Sequence, residues 1–311
     1  MNKRAEAIWH NGSLVPWENA TCHIMTHGLH YGTSVFEGIR AYETHQGTCI
    51  FRLRDHLLRL FASARIYRLD IPWSFDEVFD ACRDVVTAND LGAAYVRPIA
   101  YLGAGGIGLT GRGCEVELAI AAFPWGAYLG EESHAHGIDV GFSSWQRPPS
   151  NATPLMAKAG GHYLSSRLVS QEAQRHGYTE GIALNTAGFV SEGAGENLFL
   201  VIGGELVTPP LAASVLSGIT RATVFRLAAE IGIPVREENL IRERVYGADE
   251  MFLTGTAAEI VPVRTVDGLD IGDGRPGPIT RKLQEMFRGI FDGTTEDRWG
   301  WLDPVAAAAE A

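Results

Sequence analysis

Lys158 is the residue around which chemistry gathers in this sequence. The chain has 26 basic side chains, yet only Lys3, Lys158 and Lys282 are lysines. Lys3 stands at the start and Lys282 in the polar run "ITRKLQEMF"; Lys158 sits mid-chain in "AKAGGHY". Flanked by residues too small to crowd it, its amine has room for a bulky adduct and can serve as a nucleophile. An exposed loop lysine fits the same letters. Three other stretches bear on the choice. "SEGAGENLF" holds Glu192 and Asn197 in a glycine-rich bend, and a carboxylate there is what a pyridine nitrogen needs to stay protonated. "LSGITRATVF" places Gly218, Ile219 and Thr220 at a helix start, where backbone N–H groups bind phosphate. "LTGTAAE" puts Gly255, Thr256 and Ala257 just after a strand, another place for amides that meet an anion. A turn acid, an ordinary cap and a plain turn are the bland alternatives. Taken together, amine, carboxylate and phosphate-binding helix start match pyridoxal 5'-phosphate, although none is specific alone.

Two competing chemistries are weaker. "CHIMTHGLH" clusters His23, His27 and His30, but without nearby Cys or carboxylates, so no metal is expected. "GAGGIG" at 103–108 has the G-x-G-x-x-G spacing of a nucleotide-dependent oxidoreductase. That fingerprint requires the glycines to open a helix, and here "LTGRGCEVELAIAAF" continues with turn residues and then a strand. A hairpin connection is the better reading.

The elements that must position these residues are mixed. "AIWHNGSLVP" predicts a hairpin turning at Asn-Gly, and "TSVFEGIRAY" with "GTCIFRL" a second one across "ETHQ". Residues 54–68 carry a helical stripe, and Ser74 with Glu77 forms capping-box spacing ahead of another helix. "AAYVRPIAYL", "VELAIAAF" and "IDVGFSSW" read as strands, and "GHYLSSRLVSQEAQRHG" as a helix with Leu164, Leu168 and Ala173 on one side. "GIALNTAGFVSEG" and "NLFLVIGGELVTPP" read as hairpins, followed by a helix from "GITR", a strand "EMFLTGT" and a closing helix "ITRKLQEMFRGIF". Strands come as hairpins more often than as β-helix-β crossovers, which favours an α+β fold over a doubly wound sheet. Two domains are expected: a small one over 1–123, a linker over 124–137, and a larger one over 138–311 carrying Lys158.

Composition is that of a globular protein, with 46% hydrophobic and 20% charged residues, and the net charge of -11 argues against nucleic-acid binding. No run is apolar and long enough to span a membrane, and the first residues lack a signal peptide, so the cytoplasm is expected. The four dispersed cysteines read as reduced thiols.

The segments "HYGTSVFEGIRAY", "YVRP", "AAFPWGAYLG", "AKAGGHYLSS", "EGIAL", "SEGAGENLF", "GITR" and "TGTAAE" resemble, in order, the branched-chain aminotransferases, fold-type IV pyridoxal-phosphate enzymes. The likeness runs from about residue 8 to about residue 303. It implies two mixed α/β domains and a ping-pong exchange of an amino group between L-leucine, L-isoleucine or L-valine and 2-oxoglutarate. Lys158 would form the Schiff base with pyridoxal 5'-phosphate and move the proton at Cα. Glu192 would pair with the pyridine nitrogen, Tyr163 would donate to the phenolic oxygen, and Leu216 would pack on the ring. Arg59, Ile219, Thr220 and Thr256 would hold the phosphate.

On the substrate side, Tyr95 with Thr256 and Ala257 resembles the α-carboxylate site. Phe36, Gly38, Tyr31, Trp125, Tyr128, Ile107 and Leu109 would line the side-chain pocket. Arg97, with Tyr31 and Tyr128, resembles the group that receives the side-chain carboxylate of glutamate. The resemblance also implies a homodimer or hexamer with shared active sites. D-amino-acid and (R)-amine transaminases and aminodeoxychorismate lyases would keep the lysine and cofactor glutamate; "FEGIRAY" with "YVRP" argues against them. His162 stands where the resemblance leads to an expectation of Asn.

Overall fold

The computed structural model describes residues 5–126, 129 and 131–305. These fall into two compact units: 5–126 with 157–161 and 290–305, and 129–156 with 162–289. The sequence puts the division within 124–137 and Lys158 beyond it; in the structure the short segment around Lys158 belongs to the first unit. The reason lies in its backbone, which bonds to that unit as described below.

The first unit is built on an antiparallel sheet. Its strands are β1 (Ala7–His10), β2 (Ser13–Pro16), β3 (Ser34–Phe36), β4 (Ile39–Thr44), β5 (Gly47–Phe51), β6 (Ala94–Leu102) and β7 (Val116–Phe123). With the strand Leu302–Pro304 at one edge, the order runs Leu302–Pro304, β5, β4, β6, β7, β1, β2, and β3 pairs separately with β6. Asn11 and Gly12 take positive φ in the β1–β2 turn, as the Asn-Gly pair predicts. Helices α1 (His27–Tyr31), α2 (Leu53–Ile66) and α3 (Phe75–Ala88) complete the unit. Leu53, Leu57, Leu60 and Ala64 form the buried stripe of α2. Truncating one such leucine to alanine costs roughly 2–5 kcal/mol. The Ser74–Glu77 capping box opens α3 in both directions.

The run expected as one strand, "TSVFEGIRAY", is two, because the chain breaks at Glu37-Gly38. Opposite the break lies Pro98, in the middle of β6. A proline has no N–H for a sheet ladder and is normally kept to edges or irregular places. Here the gap between β3 and β4 supplies one, and Glu37 N–H donates to the Pro98 carbonyl at 2.9 Å.

The second unit holds β8 (Ile138–Arg147), β9 (Glu180–Asn185), β10 (Val190–Gly193), β11 (Asn197–Ile202), β12 (Glu205–Thr208), β13 (Val235–Glu237), β14 (Glu250–Gly255), β15 (Glu259–Val266) and β16 (Leu269–Asp270). The order is β10-β9-β8-β15-β14-β11-β12-β13, with β16 on β15. Most pairs are antiparallel, but β8 runs parallel to both β9 and β15, and β12 runs parallel to β13. Its helices are α4 (Glu131–His136), α5 (Tyr163–Arg175), α6 (Ile219–Glu230), α7 (Arg242–Tyr246) and α8 (Pro278–Asp292). The mixture is α+β, as expected. One detail differs: α5 buries Ser166, Val169, Glu172 and Ala173, while Leu164 and Leu168 are exposed. Two stripes compete on that helix, and contact with β8 and β9 selects the less apolar one.

A buried acid at the start of β9 makes stability depend on pH. Glu180 is nearly fully buried, and its Oε1 accepts the Gly181 N–H at 2.7 Å. Burial, reinforced by the charge of Glu196, pushes its carboxyl up from 4.5 to about 8. Between those values the folded state holds the proton more tightly than the unfolded chain does. The contribution is therefore full at the acid end and is lost as pH rises through the window. The urea midpoint of Glu180→Gln is expected to vary less with pH than that of the wild type over this range. Equal slopes would refute the assignment.

Candidate active site

Residues singled out in the sequence collect into two groups, one in each unit. In the first, Lys158 is held by its main chain on both sides. Its N–H donates to Ser63 Oγ on α2 at 3.0 Å, and its carbonyl accepts the Phe36 N–H from β3 at 3.0 Å. Ala159 bridges to Val35, extending this pairing. The following glycine is needed for the close approach, since a Cβ at Gly160 would overlap the Ser34 hydroxyl.

From this anchor the Lys158 Nζ lies 5.0 Å from the centroid of the Phe36 ring, and the Arg97 guanidinium lies 4.7 Å from it. Arg97 Nη2 donates to the Tyr95 hydroxyl at 3.0 Å. The Tyr95 ring in turn sits 4.9 Å from that of Trp125. Gly38 faces the same hydroxyl so closely that any Cβ would collide with it. Lys158, Phe36, Gly38, Tyr95, Arg97 and Trp125 thus form one contiguous patch. Each cation–ring contact contributes about 0.5–2 kcal/mol, more as water is excluded.

Other expected residues stand apart. Tyr31 ends α1 with its ring 4.5 Å from His27 and is 42% exposed. Ile107 and Leu109 are 63% and 84% exposed on the loop joining β6 to β7. That loop is a connection between antiparallel strands, not the start of a helix. Tyr128 lies outside the described residues. The histidines near α1 serve local structure: His27 is bonded to Thr33 Oγ1 and the Gly108 carbonyl, and His30 to the Ile24 carbonyl.

Arg59, on α2, points at a residue the motifs did not single out. Its Nε and Nη2 donate to the two carboxylate oxygens of Glu37 at 2.6 and 2.8 Å. His56, one turn earlier, donates from Nδ1 to Glu37 Oε2 at 2.7 Å. Glu37 and His56 are fully buried. Burial alone would raise the Glu37 carboxyl, but the charge and hydrogen bonds of Arg59, aided by His56, hold it down at about 2. Burial pushes His56 down despite the pull of Glu37, so the ring is neutral and Nδ1 carries its proton.

The second group centres on Glu192, buried in β10 at an irregular register against β9. Its Oε1 meets Arg147 Nη2 at 2.6 Å, and its Oε2 accepts from Asn197 Nδ2 at 3.1 Å and the Leu216 N–H at 3.0 Å. Asn197 also donates to the Leu216 carbonyl, and Arg147 Nη1 to Ser166 Oγ. Arg147 was not foreseen; a single arginine ending a strand carries no motif. Gly218 caps α6, and a Cβ there would overlap Asn197 Oδ1, so the glycine brings the helix start close to this network. Ile219 and Thr220 form the first turn of α6. Thr256 and Ala257 occupy the turn from β14 to β15, and Tyr163 begins α5; all three are partly buried. The donor set suits a phosphorylated pyridine: a buried carboxylate paired with an arginine, and a glycine-capped helix start.

The family model for amino-transferase class IV matches residues 34–266, and the chain belongs to that family. It is 56% identical over 304 residues to the branched-chain-amino-acid aminotransferase of Salmonella typhimurium, covering 97% of this chain and 98% of that one. The Pseudomonas aeruginosa protein of the same name is 48% identical over 301 residues, covering 97% and 98%. The crystal structure of the Escherichia coli branched-chain amino acid aminotransferase matches with a TM-score of 0.96 at 56% identity, covering 97% of this chain and all of that one. The holo-form of the Thermobaculum terrenum branched-chain amino acid aminotransferase, which carries pyridoxal phosphate, matches with a TM-score of 0.91 at 37% identity, covering 98% and 99%.

Removing Arg147 leaves Glu192 a buried charge facing neutral donors. Arg147→Met is expected to lower stability by roughly 3–5 kcal/mol, read by chemical denaturation. In a Glu192→Gln background the same change should have much less effect, and equal losses in the two backgrounds would argue against a coupled pair.

Proposed function

We propose that this chain transfers amino groups between L-leucine, L-isoleucine or L-valine and 2-oxoglutarate, with pyridoxal 5'-phosphate attached to Lys158. The observation that carries the reading is the Lys158 patch: an amine fixed by its backbone, beside a phenylalanine ring and an arginine–tyrosine pair. Bound pyridoxal phosphate supplies the electron sink that lets the Cα–H bond break. The remaining work falls to side chains of this chain. Once the substrate's amino group has displaced it, Lys158 Nζ would take the proton from Cα and return it during transfer. Glu192 keeps the pyridine nitrogen protonated, and its own charge is stabilised by Arg147, Asn197 and the Leu216 N–H. Tyr163 orients the ring through its phenolic oxygen, Leu216 packs on its face, and Arg59, Ile219, Thr220 and Thr256 hold the phosphate.

The α-carboxylate of the substrate is assigned to Tyr95 with the Thr256 and Ala257 amides. Phe36, Gly38, Trp125 and Tyr128 are assigned to the side-chain pocket, and Tyr31, Ile107 and Leu109, which stand apart from the Lys158 patch in the single chain, are assigned to the pocket of a second copy. A ping-pong enzyme must also accept glutamate in a pocket shaped for apolar groups, and Arg97 answers that need. With Phe36 under its guanidinium and Tyr95 at its Nη2, Arg97 presents charge within an otherwise apolar wall. The cytoplasmic setting and a homo-oligomer with shared active sites are part of this reading. Among the described residues no helix is long and apolar enough to cross a membrane.

Purified protein is expected to show a visible absorption band that L-leucine and L-glutamate both bleach and that Lys158→Ala lacks. Absence of the band would end the reading, and bleaching by D-alanine but not L-leucine would move the protein to another branch of the fold. Arg97→Ala should raise KM for glutamate at least about tenfold, with a smaller change for leucine. Equal losses for both substrates would remove Arg97 from its assigned role.

A further inference from the structure

We infer that Glu37 and His56 are positioning residues that fix the Arg59 guanidinium for an anion of the phosphate class. The inference rests on the proposed role of Arg59 as a phosphate ligand and adds what makes Arg59 able to fill it.

A guanidinium offers two edges with paired donors, one through Nε and Nη2 and one through Nη1 and Nη2. Glu37 engages the first with both oxygens, which sets the plane and the roll of the group together. The direction of the second edge follows from that geometry and not from the rotamer freedom of a long side chain. Glu37 itself has little freedom. His56 Nδ1 binds the same oxygen that receives Arg59 Nη2, and the Glu37 N–H is tied to the Pro98 carbonyl. His56 lies three residues before Arg59 on α2, so helix periodicity turns both side chains toward Glu37.

A fold that needed merely to fill the break between β3 and β4 would be served as well by an apolar residue, since buried ion pairs are weak sources of stability. The pair therefore reads as orientation. The neighbouring residue supports the same conclusion: Phe36 N–H holds the Lys158 carbonyl at 3.0 Å. Consecutive residues at one strand break thus register two cations, Lys158 through its backbone and Arg59 through its side chain.

Glutamine at position 37 cannot reproduce the arrangement. Three N–H groups converge on two acceptor oxygens, and an amide nitrogen in place of either oxygen would face at least one of them. His56→Asn keeps a donor near the Nδ1 position, whereas His56→Leu removes it. Binding of pyridoxal 5'-phosphate and of unphosphorylated pyridoxal to the full-length apoenzyme, followed by absorbance, separates positioning from general damage. Glu37→Gln and His56→Leu are expected to weaken pyridoxal 5'-phosphate by about tenfold or more while changing pyridoxal by less than about twofold, and His56→Asn should restore most of the loss. In an Arg59→Ala background, Glu37→Gln should have no further effect on pyridoxal 5'-phosphate. Equal weakening of both ligands, unchanged binding, or an additive loss in the Arg59→Ala background would overturn the inference. Should Glu37→Gln fail to fold, the His56→Leu and His56→Asn pair decides by the same ratio. If the wild type bound neither ligand, the proposed function itself would fail, an outcome distinct from all of these.

Discussion

The interruption between β3 and β4 is the constraint on which the first unit's chemistry depends. An uninterrupted strand would present an unbroken ladder to β6 and leave no place for Pro98. At the gap, the chain turns an acid inward, holds Arg59 on one side and continues into Gly38 against the Tyr95 hydroxyl. Phe36, on the last residue before the gap, carries the Lys158 backbone and lends its ring to Nζ and to Arg97. One short irregularity therefore sets an amine, two arginines and a tyrosine. The period-two alternation persists through the gap: Phe36 and Gly38 meet the Arg97–Tyr95 pair, while Glu37 between them turns to Arg59 and His56.

The second unit solves a related problem with charge. Glu192 is buried, and a carboxylate taken out of water needs partners that compensate for the lost solvation. Arg147, Asn197 and the Leu216 N–H answer that requirement from three separate parts of the chain. Glu180, on the neighbouring strand β9, is pushed toward its protonated form. The two buried acids differ in their neighbours: Glu192 has an arginine beside it, and Glu180 a second acid.

Much of the fold was legible because its signals are local. The Asn-Gly hairpin, the Ser74–Glu77 capping box and the α2 stripe follow from dihedral preference, reciprocal capping and the 3.6-residue period. The α5 stripe was read on its more apolar side, since period alone does not say which face meets β8 and β9. Lys158 stood out because lysine is rare here, and Glu192 and the "GIT" helix start because glycines and a cap mark them. Glu37, His56 and Arg147 carried no comparable mark. Their roles come from partners remote in sequence, 22 residues in the case of Arg59 and Glu37.

By itself, then, the sequence determined the α+β class and most of the elements, since residue type, spacing and turn preference act within a few positions. Only the tertiary structure decided which unit holds Lys158, which oxygens hold Arg59, and that Arg147 secures Glu192. Those are matters of direction and burial, fixed when strands far apart in the chain pair and remove particular groups from water. Charge pairing there depends on where a side chain ends, which no spacing along the chain records.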